Sequence, residues 1–198
     1  MARRGWRAGR RVAVPDSITE TRSWSREAYD RAVATGVLGP DDRVELIEGR
    51  LVSVTPQGSR HATAIRLANR ALGRAFGGDC IVQCQLPLAI AGDSEPEPDV
   101  AVVAGEIGDY RDVHPSTALL VVEVADDSLV QDRTVKQRLY ARCSVPEYWI
   151  VAIPDARLEV LRDPAADGYR DVTVLQAGDT VAPLARPGSP IPVADLLP

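Results

Sequence analysis

Residues 118–125 read Ala-Leu-Leu-Val-Val-Glu-Val-Ala, an almost continuous apolar run that contains one charged residue, Glu123. Such a run is typical of a strand that is covered on both faces by other elements, as in α/β proteins. An unpaired carboxylate costs several kcal/mol in that setting. Glu123 therefore needs a cation, a metal ion or a proton beside it; alternatively, it pairs with an arginine at the strand end as an ordinary structural residue.

The segments on either side of this run predict an α/β core. Upstream, apolar residues recur at three- and four-residue steps over 61–76 and predict a helix, which is followed by strands over 80–90 and 100–104. Downstream, a predicted helix over 131–142 precedes a strand over 147–153. The order helix, three strands, helix, strand indicates an α/β fold with helices covering the sheet.

The N-terminal part adds a tail, a helix and a hairpin to this core. Residues 1–22 are rich in arginine and are predicted to be a flexible basic tail, although a DNA-binding arm is an alternative. A helix is predicted over 23–35, and a β-hairpin joins 43–47 to 50–54. Since no boundary follows the tail, residues 23–198 are expected to form a single domain.

The C-terminal part predicts a second hairpin. Its strands lie over 158–161 and 169–175, where polar and apolar residues alternate around a turn. The segment 183–198 that follows is rich in proline and is expected to be irregular.

The composition is that of a globular protein, with 45% hydrophobic residues, 26% charged residues and a net charge of -5. A negative chain is not expected to coat DNA nonspecifically, but an enzyme that touches a few phosphates needs only a local basic patch. Arg66, Arg70 and Arg74 form one stripe on the predicted helix, which is either solvated or in contact with phosphates.

The three cysteines are too few for a disulfide framework, which favours a cytoplasmic protein. No apolar run reaches the ~18 residues of a membrane span.

A second acid, Asp99, directly precedes the apolar strand that begins at Val100. Asp99 and Glu123 converge if their strands are neighbours in the sheet; otherwise Asp99 is a turn residue. Two carboxylates ~4 Å apart repel by about 4 kcal/mol at an effective dielectric constant of 20, and a divalent ion turns this repulsion into attraction. Ligation by oxygen atoms alone favours Mg²⁺ or Mn²⁺ over zinc.

A lysine, Lys136, lies in the helix that follows. Its side chain can form an ordinary i,i+4 salt bridge with Asp132 on the same helix. Alternatively, the ammonium group points at the metal site, where it would stabilise an attacking hydroxide or the pentavalent phosphate.

Several of these stretches together resemble one known family, the Uma family of restriction endonuclease-like proteins. They are Glu95-Pro-Glu-Pro-Asp-Val, Leu120-Val-Val-Glu-Val-Ala-Asp-Asp-Ser-Leu, Asp132-Arg-Thr-Val-Lys-Gln-Arg-Leu-Tyr-Ala-Arg, Val145-Pro-Glu-Tyr-Trp-Ile-Val, Val44-Glu-Leu-Ile-Glu-Gly-Arg and Ser59-Arg-His-Ala. The resemblance extends from Tyr29 to Leu197, nearly the whole chain. It implies the PD-(D/E)XK nuclease superfamily, and with it a restriction-endonuclease-like core: a mixed four-stranded sheet flanked by helices, here with added N- and C-terminal β-hairpins.

The resemblance also implies roles for single residues. Asp99 and Glu123 match the two motif acids, and with the carbonyl of Val124 they would hold Mg²⁺ (or Mn²⁺). The usual motif lysine lies two residues after the second acid, where this chain has Ala125. Lys136 would take its place from the next helix.

Two further residues, Glu45 and His61, fall at motif positions of the family. Glu45 would be an additional metal-site or water-positioning carboxylate, or else an exposed hairpin residue. His61 would contact phosphate or assist a proton transfer, or else cap its helix.

These observations predict a Mg²⁺-dependent endonuclease that hydrolyses phosphodiester bonds in DNA, with RNA less favoured as substrate. They predict no membrane partner and leave a homodimer open. One alternative is a catalytically inactive module on a nuclease fold that binds nucleic acid. Another is a protein-interaction module whose acids form ordinary salt bridges.

Overall fold

Six strands form the central sheet of the computed structural model, which describes residues 23–198. Their spatial order is β3-β4-β5-β6-β7-β8, and β5 and β6 are parallel whereas every other neighbouring pair is antiparallel. The bounds are β3 Cys80–Gln83, β4 Val100–Ala104, β5 Leu120–Ala125, β6 Glu147–Ala152, β7 Arg157–Ala165 and β8 Gly168–Gln176. The sheet is therefore mixed, as the family resemblance implies.

The middle strands β5 and β6 are buried along their whole length, because elements cover both faces of the sheet. Helix α2 (Ser59–Phe76) covers one face and buries an apolar stripe that includes Ile65, Ala68 and Leu72. The opposite face packs against the helical segment that follows β5, around Tyr140 and Tyr148. The apolar sequence of these strands follows from this double cover.

The helical segment between β5 and β6 changes its winding along its length. It begins as α3 (Leu129–Gln131), continues as a π-helical stretch over Asp132–Lys136 and ends as α4 (Gln137–Arg142). Asp132 and Lys136 are both buried in the π-helical stretch. Short π-helical stretches within helices are often found at functional sites.

The N-terminal elements pack against the segment 89–95 between β3 and β4, to which Arg26 and the N-terminal hairpin form hydrogen bonds. Helix α1 (Arg26–Ala34) is capped by Ser25, whose hydroxyl accepts a hydrogen bond from the Ala28 amide. The hairpin of β1 (Val44–Ile47) and β2 (Arg50–Ser53) is antiparallel.

The C-terminal segment closes over the core. The short strands β9 (Thr180–Val181) and β10 (Ile191–Pro192) pair, and a 3₁₀ helix over Val193–Leu196 packs against α2. Ile191 and Leu196 are both buried there. The remaining 3₁₀ helices are Gly77–Asp79 and Ile107–Tyr110.

Several predicted bounds need correction. The sheet has six strands rather than four, because the C-terminal hairpin β7-β8 continues it beyond β6. The strand predicted over 80–90 ends at Gln83, since Gln85 has a left-handed backbone (φ 52) that a strand cannot contain. The segment predicted to be irregular over 183–198 contains β10 and a 3₁₀ helix.

The tail predicted over residues 1–22 lies outside the described residues, and the single domain over 23–198 stays a prediction. In the described part of the chain, no helix is both long and apolar enough to cross a membrane.

Candidate active site

The register of β4 and β5 brings Asp99 and Glu123 together. Val100 lies opposite Val122, so the residue before Val100 meets the residue after Val122. The Val124 amide donates a hydrogen bond to Asp99 Oδ2 at 2.8 Å, and the Asp99 amide lies 3.5 Å from Glu123 Oε2. The two acids that the sequence singles out thus share one buried location, with only 7% of Asp99 and 3% of Glu123 exposed.

Two side chains from the helical segment meet Glu123. Lys136 Nζ donates a hydrogen bond to Glu123 Oε1 at 2.9 Å, and the Tyr140 hydroxyl donates to the same oxygen at 2.7 Å. Lys136 and Tyr140 are one helical turn apart, so both reach the same point from one face of the helix. Lys136 Nζ also lies 3.9 Å from Glu45 Oε2 on β1.

His61 approaches from the opposite side, in the first turn of α2. Its Nε2 lies 3.1 Å from Asp99 Oδ1, so Asp99 is held by the imidazole at one oxygen and by the Val124 amide at the other. Burial lowers the pKa of His61, but the hydrogen bond and the charge of Asp99 outweigh burial and raise it. The imidazole therefore keeps its proton to a higher pH than a free histidine does.

Three acids of the site, Glu123, Glu45 and Asp132, are destabilised in their charged form. Burial raises the pKa of Glu123 to about 8; Lys136 opposes this shift, and the charge of Asp99 adds to it. Burial also raises the pKa of Glu45 and of Asp132. Burial acts against the charged form of Lys136 as well, but Glu123 and the other carboxylates outweigh it and raise the lysine pKa, so the ammonium stays charged.

These residues line one cavity of about 170 Å³. Its wall contains one lysine and seven acidic residues: Glu45, Glu97, Asp99, Glu123, Asp126, Asp127 and Asp132. The cavity also reaches β2, the loop before α2 and the start of α3. It is therefore strongly negative when its acids are ionised, and it has room for a small ion together with a phosphate group or a few water molecules.

The donor set suits a hard divalent cation. Within residues 23–198, no group of three or more His, Cys, Asp or Glu side chains is already arranged to hold a metal. Mg²⁺, however, is usually bound by one or two carboxylates and completes its shell with water and substrate phosphate. Asp99 and Glu123 supply two carboxylates.

The carbonyl of Val124 is available as a further oxygen donor. The Val124 amide points to Asp99, and within a strand the carbonyl of a residue faces the same side as its amide. The β4-β5 register continued beyond Val100 places Pro98 opposite Val124. Proline has no N–H to donate to that carbonyl, so the residues fit the ion.

All the residues predicted for the site lie together at this cavity: Asp99, Glu123, Lys136, Glu45, His61 and the neighbouring Val124. The alternative of an exposed hairpin position for Glu45 is wrong, because only 7% of it is exposed. Lys136 pairs with Glu123 and Glu45 rather than forming the simple i,i+4 bridge with Asp132. The catalytic roles themselves stay predictions.

Sequence reasoning gave no role to Tyr140 and treated Asp132 only as an alternative partner of Lys136. The signal for both was their spacing, four residues on either side of Lys136, which places them near the same helix face. Asp132 Oδ2 accepts a hydrogen bond from the Ser128 hydroxyl at 2.6 Å and lines the acidic cavity.

Comparison with known families gives one match that spans most of the chain. Residues 26–194 match the family Uma2, described as "Putative restriction endonuclease". The chain belongs to the Uma2 family. This confirms the resemblance inferred from the motifs, and the comparison with curated proteins gave no match.

A solved structure supports the fold of this Uma2 protein. It is described as a "putative nuclease belonging to DUF820" from Anabaena variabilis ATCC 29413, and it is similar with a TM-score of 0.65 and 15% sequence identity. The alignment covers 82% of this chain and 94% of that chain. The predicted mixed sheet flanked by helices is thereby confirmed.

Proposed function

We propose that this Uma2 protein is a Mg²⁺-dependent endonuclease that hydrolyses phosphodiester bonds in DNA, with RNA a poorer substrate. One observation carries the proposal: within residues 23–198, seven acidic side chains line the cavity around Asp99 and Glu123, against one lysine and one histidine. A phosphodiester adds another negative charge, so it binds there only together with a cation that offsets the repulsion. The description of the Uma2 family as "Putative restriction endonuclease" supports the same reaction class.

Asp99, Glu123 and the carbonyl of Val124 are the groups that would hold the ion. When bound, Mg²⁺ would polarise the scissile phosphate and make a nearby water more acidic. Mn²⁺ prefers the same oxygen donors and would substitute for it.

Lys136 and Tyr140 prepare Glu123 for this role. Both donate hydrogen bonds to Glu123 Oε1, so the carboxylate keeps a fixed orientation and Oε2 faces Asp99. An ammonium has three N–H donors, and the hydrogen bond to Glu123 uses one of them. The others would stabilise the attacking oxygen and the charge that develops on the phosphate in the transition state.

His61 orients Asp99 and supplies a proton. Its hydrogen bond to Asp99 Oδ1 complements the one from the Val124 amide, so both carboxylate oxygens are fixed. The raised pKa of the imidazole favours its protonated form, which can donate a proton to the leaving oxygen.

The surface of α2 provides a track for the DNA backbone. His61 lies in the first turn of this helix, and Arg66, Arg70 and Arg74 are exposed along it. Arginines on a helix that starts at the site would contact phosphates beyond the scissile one.

A second candidate function is nucleic-acid binding without cleavage. It is favoured by Ala125, which occupies the position of the usual motif lysine on β5. This candidate predicts salt-sensitive binding of DNA with no metal-dependent product. A homodimer stays a prediction.

Plasmid nicking tests the proposal directly. The purified chain is incubated with supercoiled DNA and Mg²⁺, Mn²⁺ or EDTA, and with RNA in parallel. We expect divalent-dependent nicking that Asp99→Asn slows by about a thousandfold. Asp171→Asn, which changes an exposed aspartate on β8, is the matched control and should cleave normally. Cleavage by Asp99→Asn at the wild-type rate would contradict the proposal, and DNA binding without any cleavage would favour the second candidate.

A further inference from the structure

A second cavity lies beside the Asp99–Glu123 site, and the reaction proposed above does not use it. Its volume is about 720 Å³, and it lies under α1 and the loop between α1 and β1. Four residues line both cavities: Val54, Gln57, Gln85 and Glu97. The two cavities are therefore direct neighbours, and a ligand anchored in one can extend into the other.

The sizes of the two cavities suggest that one ligand occupies both, with a different part of the ligand in each. The acidic cavity, at about 170 Å³, is smaller than the ~300–1,000 Å³ of a typical organic ligand pocket. It can hold an ion and a phosphate but not a whole nucleotide. The cavity under α1, at about 720 Å³, falls within that range.

The lining of the cavity under α1 combines apolar surface with amide groups. Val33, Leu38 and Tyr29 come from α1 and the loop after it, and Gln57 and Gln85 come from the loops that border the acidic cavity. A nucleobase has two apolar faces and an edge of hydrogen-bond donors and acceptors. Glutamine amides donate and accept at once, as such an edge requires.

Two residues that line this cavity have a left-handed backbone conformation, which residues other than glycine rarely adopt. Arg43 has φ 46 and Gln85 has φ 52. Such left-handed residues other than glycine tend to occur at functional sites, where surrounding contacts impose the conformation. The backbone N–H of Gln85 donates a hydrogen bond to the Pro98 carbonyl at 3.0 Å. Gln85 is therefore fixed to the residue that precedes Asp99.

Arg43 contributes a positive charge to the cavity wall. It is exposed, and within residues 23–198 no carboxylate lies in salt-bridge distance of its guanidinium. An exposed guanidinium without a carboxylate partner is suited to bind a phosphate next to the bound base.

We propose that the cavity under α1 binds a nucleobase unstacked from its strand, adjacent to the phosphodiester in the acidic cavity. Gln57 and Gln85 contact the edge of the base, the apolar side chains of α1 cover its face, and Arg43 contacts a flanking phosphate. The inference rests on the proposed function for the position of the phosphodiester. It adds that the enzyme reads a base one nucleotide from the bond that it cleaves.

A substitution that fills the cavity under α1 tests this inference, and the same substitution outside the cavity is the matched control. Val33→Trp places an indole at a lining position, whereas Val37→Trp places one at a valine in the loop after α1 that is 71% exposed and does not line the cavity. Gln57→Ala is a second variant that removes an amide without filling space. Gln57 lies on an exposed loop, where the substitution leaves folding intact.

The first readout is the fluorescence of 2-aminopurine, placed at successive positions of a DNA oligonucleotide, with Ca²⁺ in place of Mg²⁺. Its emission rises when the base leaves the stack. We expect a rise at one position with the wild type and Val37→Trp, and binding weakened about tenfold by Val33→Trp and by Gln57→Ala. Equal emission and affinity in all four proteins would overturn the inference.

The second readout separates this inference from the nuclease proposal. Methyl p-nitrophenyl phosphate is a diester without a nucleobase, so Val33→Trp should lower the ratio of DNA cleavage to its hydrolysis about tenfold. Base capture without cleavage would retain the nucleobase site and reject the nuclease. Cleavage without a fluorescence rise at any position would retain the nuclease and reject the nucleobase site.

Discussion

Two glutamates of the same sheet, Glu123 on β5 and Glu159 on β7, are buried almost equally, with 3% and 5% exposed. Their surroundings differ. Glu159 accepts hydrogen bonds from Arg133 and Arg157. Burial favours the neutral form of Glu159, but these hydrogen bonds and charges outweigh it and lower its pKa.

Among residues 23–198, Glu123 has one cationic partner and several acidic neighbours. Lys136 faces Glu123 and also lies near Glu45, while Asp99 and Asp132 add negative charge. The balance is reversed relative to Glu159, and the pKa rises to about 8. Burial of a carboxylate does not by itself mark a site; a surplus of buried acid over base does, because folding alone gains nothing from it.

The sharpest test of this contrast exchanges each glutamate for its neutral isostere. We expect Glu123→Gln to lower the rate of DNA cleavage by about a thousandfold, because it removes one of the two carboxylates that we propose to hold the ion. Glu159→Gln should cleave within about twofold of the wild type. Measurement of kcat/KM for both variants tests whether only Glu123 belongs to the active site. Similar losses of kcat/KM in the two variants would contradict the contrast between the two glutamates.

The role of Lys136 predicts the next largest effect. Lys136→Met should reduce kcat about a hundredfold because the transition state loses a positive charge. Binding of Mg²⁺, measured by calorimetry, should weaken far less than kcat falls, because Asp99, Glu123 and the Val124 carbonyl all remain in the variant. Arg138→Met, which changes an exposed residue of the same helical segment, is the control. A loss of Mg²⁺ binding as large as the loss in kcat would show that the lysine acts only by positioning Glu123.

Because Arg133 and Arg157 both donate hydrogen bonds to Glu159, we expect Glu159 to contribute to the stability of the fold. Glu159→Gln leaves Arg133 and Arg157 without their charged acceptor and should lower the free energy of unfolding by about 2 kcal/mol. The two arginines are partly exposed, so water limits the loss. Urea denaturation measures it, and an unchanged midpoint would show that the pairs contribute no net stability.

The raised pKa of Glu123 predicts how Mg²⁺ affinity depends on pH. A carboxyl group with a pKa of about 8 is mostly protonated at lower pH, and the ion must displace that proton. Affinity should therefore rise about tenfold per pH unit below about pH 8 and then level off. Calorimetry in buffers with different ionisation enthalpies would detect the released proton. Glu123→Gln should abolish this rise, and persistence of the same slope in that variant would assign the proton to another group.

Much of the site was predictable from sequence because its residues violate the rules for ordinary core positions. A glutamate within an apolar strand needs compensation, and Asp99 and Lys136 were the candidates that family motifs placed nearby. Their actual meeting depends on the β4-β5 register, with Val100 opposite Val122. A register is a tertiary property and cannot be derived from either strand alone.

The errors have a similar origin. Alternating residues beyond Gln83 continued the pattern of a strand, but Gln85 turns the backbone and leaves Leu86 53% exposed. Local alternation did not contain that information, because the Gln85 conformation is held by Pro98 across the site. The extension of the sheet to six strands likewise depends on the pairing of β6 with β7.

The π-helical stretch Asp132–Lys136 has a consequence for how such a site tolerates insertions and deletions. A π turn accommodates one residue more than an α-helical turn, so it shifts the sequence phase of the helix by one residue, about 100°, without turning the following part in space. Deleting one residue, such as Thr134, would therefore restore a regular α-helix and leave α4 in nearly the same orientation relative to α3. Lys136 and Tyr140 would still face Glu123, so this segment can gain or lose one codon without losing the arrangement of the cavity.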